Sequence, residues 1–313
     1  MIKLPVSISP HLHCGRNTRS IMLDVIIALL PAVIAATVIF GFRALLLVVV
    51  TVAACVTSEY LTRKILKKPD TLSNLTAVVT GILLALNLPV TLPFWMAVLG
   101  GVIAIVIVKE FFGGVGQNFV NPAITARIVL MMSFAPQMST WQPPLNYYMF
   151  RPDVISSATY FSAAQTGQEL PSLLDMFLGI RSGSLGETCA AALLLGGGYL
   201  VVRKVISPLI PLCFIGTVGI LSTLLGGQPL YQLMSGGLLL GAIFMATDYT
   251  TSPITKKGKV IFGIGCGIVT VLIRFYAALP EGVSYAILLM NILVPHIENL
   301  TIPKVFGEEA KVK

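Results

Sequence analysis

Long apolar segments separated by short polar, glycine- or proline-containing turns make up most of this 313-residue chain. A helix needs about 20 mainly apolar residues to cross a bilayer, or somewhat fewer where neighbouring helices cover its ends. We therefore predict an all-α polytopic membrane protein with about ten transmembrane helices. The predicted helices lie near residues 21–41, 43–60, 74–91, 94–111, 121–136, 187–203, 207–225, 229–247, 259–278 and 282–299.

The composition supports a membrane protein and argues against other classes. Hydrophobic residues make up 56% of the chain and charged residues 11%, with a mean hydropathy of +0.89, whereas soluble domains average about 25% charged residues. The net charge of +8 is typical of a membrane protein with basic cytoplasmic loops, so we predict no nucleic-acid partner. None of the five cysteines forms a CxxC pair, and we predict neither an iron–sulfur cluster nor another metal site.

Basic residues indicate the orientation of the predicted helices. They follow the second helix (Arg63–Lys68) and the eighth (Lys256–Lys259), and counting alternate crossings places every basic cluster on one side. The positive-inside rule makes that side the cytoplasm, so both termini are predicted to be cytoplasmic. We divide the chain into a cytoplasmic segment, a first transmembrane half, an extracytoplasmic connection, a second transmembrane half and a cytoplasmic tail, with the bounds 1–20, 21–136, 137–186, 187–299 and 300–313.

Two segments of the chain resemble each other at constant spacing. GILLALNLPVTLP (Gly81–Pro93) and GAIFMATDYTTSP (Gly241–Pro253) each end a predicted helix in a polar turn that proline closes. An odd number of crossings separates the two helices, so the copies point in opposite directions. This pattern indicates two inverted five-helix repeats, which place ligand sites where the halves meet. The alternative is a chance resemblance between short segments.

A polar, glycine-containing passage, DMFLGIRSGSLGETCA (Asp175–Ala190), leads into the sixth predicted helix. Ser184 and Gly186 are typical helix-start residues, and Glu187 in the first turn suits the positive end of the helix dipole. We expect Thr188 in that first turn, where free backbone N–H groups favour a phosphate. On spacing alone, the passage is also typical of a capped helix start with no ligand.

The six residues GSLGET (Gly183–Thr188) resemble the flavin motif of the NqrB/RnfD family, the membrane flavin subunits of ion-translocating oxidoreductases. The resemblance extends over nearly the whole chain and includes residues 16–31, 109–127 and 244–248. It implies that Thr188 carries FMN through a phosphoester bond. It also implies that a separate flavin transferase attaches this FMN on the outer face of the membrane.

The motif departs from the general signature of transferase-attached flavins, in which an Asp precedes S/T-G-A-T at a short distance. Here the core is Ser184-Leu-Gly-Glu-Thr188, and Asp175 lies further away. The way in which the transferase recognises Thr188 therefore stays open. Glu187 would also repel an adjacent phosphate weakly, because both groups are negatively charged.

The resemblance implies a subunit of an Rnf-type complex in the cytoplasmic (inner) membrane of a bacterium or archaeon. Such complexes pass electrons between ferredoxin and NAD⁺ while Na⁺ or H⁺ crosses the membrane. Ferredoxin and NAD would bind other subunits, so this chain would not complete the reaction alone. Two alternatives stay open. One is an NqrB-like subunit of a Na⁺-pumping quinone reductase, and the other is a non-redox channel or transporter with inverted repeats.

A second polar segment, GGVGQNFVNPAITAR (Gly113–Arg127), leads into the fifth predicted helix. Pro122 suits the first turn of that helix, and the Asn118 and Asn121 amides can donate and accept hydrogen bonds. From the residues alone, the segment is typical of a re-entrant turn that satisfies its own backbone. The family resemblance implies a non-covalent riboflavin in the membrane core, for which Asn118 and Asn121 are the candidate ligands.

Carboxylates inside predicted helices are candidates for function, because a charge in a membrane is energetically expensive. Asp24, Glu110 and Asp248 are the candidates for a cation path, since hard cations prefer carboxylate oxygen. For Glu110 the alternative is an interfacial charge near the cytoplasmic end of a helix. For Asp24 and Asp248 the alternative is an ion pair with a buried arginine such as Arg127.

Overall fold

The computed structural model describes residues 17–145, 172–277 and 282–302. Within these ranges the regular structure is entirely helical, which confirms the all-α prediction. Most of the predicted N-terminal segment, the middle of the extracytoplasmic connection and most of the C-terminal tail lie outside these ranges. The assignments of those segments stay predictions.

The first half of the described chain contains helices α1 to α5. Asn17 caps α1, and Gly41, with a φ of 80°, turns the chain from α1 into α2. Asn121 caps α5, and Pro122 occupies its first position, as the sequence predicts. The bounds are Thr18–Phe40 (α1), Phe42–Ile65 (α2), Thr76–Leu86 (α3), Phe94–Val102 continued as a π-helix over Ile103–Glu110 (α4), and Pro122–Ser133 (α5).

The second half contains helices α6 to α10. Their bounds are Ala190–Val202 (α6), Leu209–Leu224 (α7), Leu238–Leu240 continued as a π-helix over Gly241–Met245 (α8), Lys256–Tyr276 (α9) and Val283–Thr301 (α10). Shorter helices occur in the connections of both halves, over Leu72–Asn74, Ala135–Met138, Leu173–Leu178 and Pro229–Met234.

A helix lies within each predicted apolar segment, but the eighth is not continuous. A short helix ends at Met234, Gly236 and Gly237 each have a φ of 66°, and α8 begins at Leu238. A positive φ interrupts a helix, and glycine adopts it without a steric penalty. Among the described helices, α1, α2, α9 and α10 are long and apolar enough to cross a membrane. The number of crossings stays a prediction.

The short helices α3 and α8 lie in the protein core. Leu84, Leu86 and Leu240 are fully buried, and Gly81 allows α3 to approach α2, because a Cβ there would lie 2.7 Å from the Cα of Val52. α1 packs against α6, and α5 packs against α10. Both α3 and α8 therefore end inside the protein, and the turns that follow them carry polar residues into the core.

Candidate functional site

The predicted flavin motif forms a turn that precedes α6 and is not part of this helix. α6 begins at Ala190, with Cys189 at the N-cap position and no side-chain cap. The prediction that Ser184 and Gly186 begin the helix, with Glu187 and Thr188 in its first turn, is therefore wrong. The residue types of the motif are those of a helix start, but its backbone N–H groups donate to carbonyl oxygens outside α6.

Those carbonyl oxygens belong mainly to the end of α3. The N–H of Leu185 donates to the Leu88 carbonyl (3.1 Å), and the N–H of Gly186 donates to the Leu86 carbonyl (2.7 Å). Glycine is needed here because a Cβ at position 186 would lie 2.6 Å from the Cβ of Leu86. The motif therefore lies directly against the buried end of α3.

The Glu187 carboxylate connects the motif to the break before α8. The Ser184 hydroxyl donates to one of its oxygens (2.9 Å), and the N–H of Gly236 donates to the other (2.8 Å). Glu187 is buried, and these two hydrogen bonds stabilise its charged carboxylate. Glu187 thus has a defined structural role, and it is not the acidic residue of a helix start.

Thr188 has no exposed surface. Its hydroxyl donates to the Leu185 carbonyl at 3.5 Å, which is longer than an ordinary O–H···O hydrogen bond. The hydroxyl is therefore weakly held, although it is covered.

Arg181, which the sequence analysis did not single out, lies beside the same turn. Its side chain is 6% exposed, and Nη2 donates to the Glu187 carbonyl (2.7 Å) and to the Met234 carbonyl. Nε has no hydrogen-bond partner among the described residues. Burial lowers the pKa of Arg181, while the nearby Glu187 carboxylate raises it. The sequence feature that could have identified Arg181 is its position as a basic residue inside the polar passage Asp175–Ala190, which contains the motif.

A second buried arginine, Arg127 on α5, binds the turn after α3. Its Nη1 donates to the Asn87 side-chain oxygen (2.6 Å) and to the Ser284 hydroxyl (3.3 Å). The Asn87 amide nitrogen donates to the Leu83 carbonyl and lies 3.5 Å from the sulfur of Met245. Asn87 lies in Gly81–Pro93, one of the two segments that resemble each other, and this resemblance was the only sequence signal for it. These contacts join both halves at the ends of α3 and α8.

Asn118 and Asn121 line an open cavity. Helices of both halves contribute to its wall. The Asn121 oxygen accepts hydrogen bonds from the first N–H groups of α5, and its nitrogen donates to the Met245 carbonyl (3.3 Å). The Asn118 nitrogen donates to the Val120 carbonyl (3.0 Å). The segment therefore satisfies much of its own backbone and also borders this cavity.

The three cation-path candidates have different surroundings. Asp248 lines the cavity, and its carboxylate accepts hydrogen bonds from Thr250 (3.0 Å) and Thr251 (3.2 Å). Asp24 lies at the contact of α1 with α6, where Arg203 is 3.3 Å away and the Tyr199 hydroxyl donates at 2.9 Å. An arginine thus pairs with Asp24, but it is Arg203 and not Arg127.

Glu110 belongs to a buried cluster of four charged residues beside this cavity. Arg63 lies 3.2 Å from Glu110, and Lys109 lies 2.9 Å from Glu59. Lys109 also lines the cavity. All four side chains are buried, which argues against the alternative that Glu110 is an interfacial charge near the end of a helix. One carboxylate oxygen of Glu110, Oε2, has no hydrogen-bond partner in the described part of the chain.

Comparison with known proteins gives matches over almost the full length. The model of the NQR2, RnfD, RnfE family matches residues 5–307. The D subunit of the Na⁺-translocating ferredoxin:NAD⁺ oxidoreductase complex of Acetobacterium woodii is 47% identical over 98% of this chain and 96% of its own. The D subunit of the proton-translocating ferredoxin:NAD⁺ oxidoreductase complex of Clostridium ljungdahlii is 41% identical over 96% of each chain.

A third relative has a similar identity and coverage. The D subunit of the ion-translocating oxidoreductase complex of Stutzerimonas stutzeri is 40% identical over 94% of this chain and 93% of its own. Together with the family match, these similarities cover both halves, the turn at Thr188 and the cavity. The chain belongs to the NQR2, RnfD, RnfE family.

Proposed function

We propose that this chain is the membrane-embedded D component of an Rnf-type complex, which couples electron transfer between ferredoxin and NAD⁺ to the translocation of Na⁺ or H⁺. The observation that carries the proposal is the 47% identity, over 98% of the chain, to the corresponding component of a ferredoxin:NAD⁺ oxidoreductase complex. The other subunits of the complex would bind ferredoxin and NAD⁺. The complex would lie in the cytoplasmic membrane.

The proposed architecture has about ten transmembrane helices in two inverted repeats, with both termini in the cytoplasm. Two observations support the repeat. The short helices α3 and α8 end within the two segments that resemble each other, Gly81–Pro93 and Gly241–Pro253, and both are followed by a turn that proline closes. Corresponding helices of the two halves also pack against each other, α1 against α6 and α5 against α10.

The proposed cofactor is FMN attached to the Thr188 hydroxyl. Three features of the chain support it: the weakly held hydroxyl of Thr188, the buried guanidinium of Arg181 at the adjacent Glu187 carbonyl, and the hydrogen bonds that hold the turn to Leu86 and Gly236. Bound FMN would supply electron transfer, while the protein would fix its position and its electrostatic surroundings. Attachment by a flavin transferase would require the turn to open, because Thr188 is covered.

The proposed second site is the cavity lined by Asn118 and Asn121, with a non-covalent riboflavin as its candidate ligand. Most of the cavity wall is apolar, and a few polar side chains converge on it, which is typical of cofactor sites. Asp248 in the same wall is a stronger candidate for a cation path, and so is Glu110 in the neighbouring cluster, because its Oε2 has no hydrogen-bond partner among the described residues although Arg63 pairs with its other oxygen. Asp24 is a weaker one, because Arg203 and Tyr199 occupy its carboxylate.

The test of the covalent site is in-gel flavin fluorescence after denaturation, in a host that expresses a flavin transferase. Thr188→Val removes the hydroxyl and keeps the volume, so fluorescence should disappear while the variant still assembles into the complex. Thr270→Val is the matched control, because Thr270 is also fully buried and its hydroxyl donates to a backbone carbonyl within a helix. The control should keep full fluorescence.

Three outcomes would count against the proposal. Absence of fluorescence from a normally expressed wild-type chain would rule out covalently attached FMN and favour the channel or transporter interpretation. A fluorescent wild-type chain that copurifies with quinone-reducing activity and without iron–sulfur subunits of ferredoxin type would favour the NqrB-like alternative. Fluorescence that persists in Thr188→Val would move the attachment to another residue.

A further inference from the structure

Arg181 is a buried cation that forms no ion pair with a carboxylate in the described part of the chain. Its hydrogen bonds go to the carbonyl oxygens of Glu187 and Met234, and no carboxylate lies within ion-pair distance of it among the described residues. Its Nε is buried and unbonded. Burying a charge without a partner is costly, so such groups usually pair with an opposite charge or a ligand.

The Glu187 carboxylate of the motif does not form an ion pair with Arg181. Glu187 interacts with Arg181 over a longer distance, while its two oxygens accept hydrogen bonds from Ser184 and Gly236. Glu187 is therefore committed to holding the turn. A negative charge in direct contact with the guanidinium would therefore stabilise it.

The position of Arg181 indicates where that charge belongs. Nη2 lies 2.7 Å from the Glu187 carbonyl oxygen, and the carbonyl carbon of Glu187 is bonded to the backbone nitrogen of Thr188. The guanidinium is thus one peptide unit from Thr188. A phosphate esterified at two oxygens keeps a single acidic group and is a monoanion at neutral pH. Arginine binds phosphate oxygens with charge-assisted hydrogen bonds.

We propose that Arg181 is the counter-ion of the phosphodiester that joins FMN to Thr188. This inference rests on the proposed attachment of FMN to Thr188. Arg181 is a positioning residue: it holds the phosphate at the motif and offsets the weak repulsion between the phosphate and Glu187. The unbonded Nε and the remaining guanidinium hydrogens are the available donors. Without FMN, the same charge stays buried and destabilises the protein.

The experiment compares the complex from a host with flavin transferase and from a host without it. Covalent flavin is first measured by in-gel fluorescence, and the detergent-solubilised complex is then heated. The readout is the temperature at which half of the tagged chain is lost from the soluble fraction. We expect flavin attachment to raise this midpoint by about 3 °C or more in the wild type.

Arg181→Gln should abolish most of this rise, because the phosphate then has no cation to stabilise. Arg181→Lys keeps the charge and should retain at least half of the rise. Arg43→Gln is the matched control, since Arg43 is also a buried arginine that binds carbonyl oxygens, at Val90 and Leu92. It should lower both midpoints and leave their difference unchanged.

Three results would overturn the inference. An equal rise in Arg181→Gln and in the wild type would exclude a counter-ion role. Loss of the rise in both the Gln and the Lys variant would indicate that Arg181 only holds the Glu187 and Met234 carbonyls in place by hydrogen bonds and does not neutralise a phosphate. Failure of Arg181→Gln and of Arg181→Met to accumulate in both hosts would show that the arginine is required for folding without flavin. Absence of flavin from the wild type would be seen before heating and would refute the covalent site itself.

Discussion

A substitution of Gly186 tests how the motif 184–188 is held against α3. Replacing it with alanine would place a Cβ 2.6 Å from the Cβ of Leu86 and 3.1 Å from the Leu86 carbonyl oxygen. Apolar atoms in ordinary contact are about 4 Å apart. Leu86 is fully buried at the end of α3 and cannot turn away into solvent. The motif must therefore move outward in the Gly186→Ala variant.

The expected cost can be worked out from these contacts. Overpacking a well-packed interior costs about 1–3 kcal/mol. Outward movement also stretches the hydrogen bond between the Gly186 N–H and the Leu86 carbonyl, now 2.7 Å, and such a bond contributes about 1 kcal/mol. We expect Gly186→Ala to reduce the free energy of unfolding by about 2–4 kcal/mol.

The assay is the heating experiment described for Arg181, together with in-gel flavin fluorescence. Gly186→Ala should lower the midpoint by about 5 °C or more and reduce the yield of covalent flavin. Gly198→Ala in α6 is the control, because no atom lies within 4 Å of the added Cβ and alanine stabilises a helix interior by about 0.5–1 kcal/mol relative to glycine. A Gly186→Ala midpoint within a degree of the wild type would refute the docking of the motif on α3.

Three further substitutions test other contacts by the same heating assay. Lys109→Met removes the 2.9 Å partner of the buried Glu59, which keeps Arg63 at 3.8 Å and the Thr71 hydroxyl at 2.6 Å, and should cost about 3 kcal/mol. Adding Glu59→Gln should restore part of the loss. Arg203→Gln should cost under about 1 kcal/mol, because the Arg203 side chain facing Asp24 is 51% exposed. Asn121→Ala removes the cap of α5 and should cost about 1 kcal/mol. Equal midpoints for the Lys109 and Arg203 variants would contradict the burial of the charged cluster.

Helix positions could be predicted well from the sequence, because run lengths of apolar residues directly reflect burial in an apolar environment. The break between Met234 and Leu238 could not. Glycine is common in membrane helices, so Gly236 and Gly237 did not distinguish an interrupted helix from a continuous one. The tertiary contact that uses this break, from the Gly236 N–H to Glu187, joins residues far apart in the sequence.

The motif itself could be found from the sequence, but its conformation could not. Ser184, Gly186 and Glu187 carry the residue types of a helix start, and this local preference is overridden by hydrogen bonds to Leu86 and Leu88. Ion-pair partners could not be predicted from the sequence either, because Asp24 pairs with Arg203 across the contact of α1 with α6. Local patterns specify elements, whereas partners depend on packing between elements.

The central claim is that Thr188 carries FMN, and peptide mapping tests it most directly. Trypsin cleaves after Arg181 and Arg203, so one peptide, Ser182–Arg203, contains the whole turn. In a chain matured with flavin transferase, this peptide should carry the mass of FMN, and fragmentation should assign it to Thr188 and not to Ser182 or Ser184. An unmodified peptide, or flavin on any other peptide of the chain, would contradict the account.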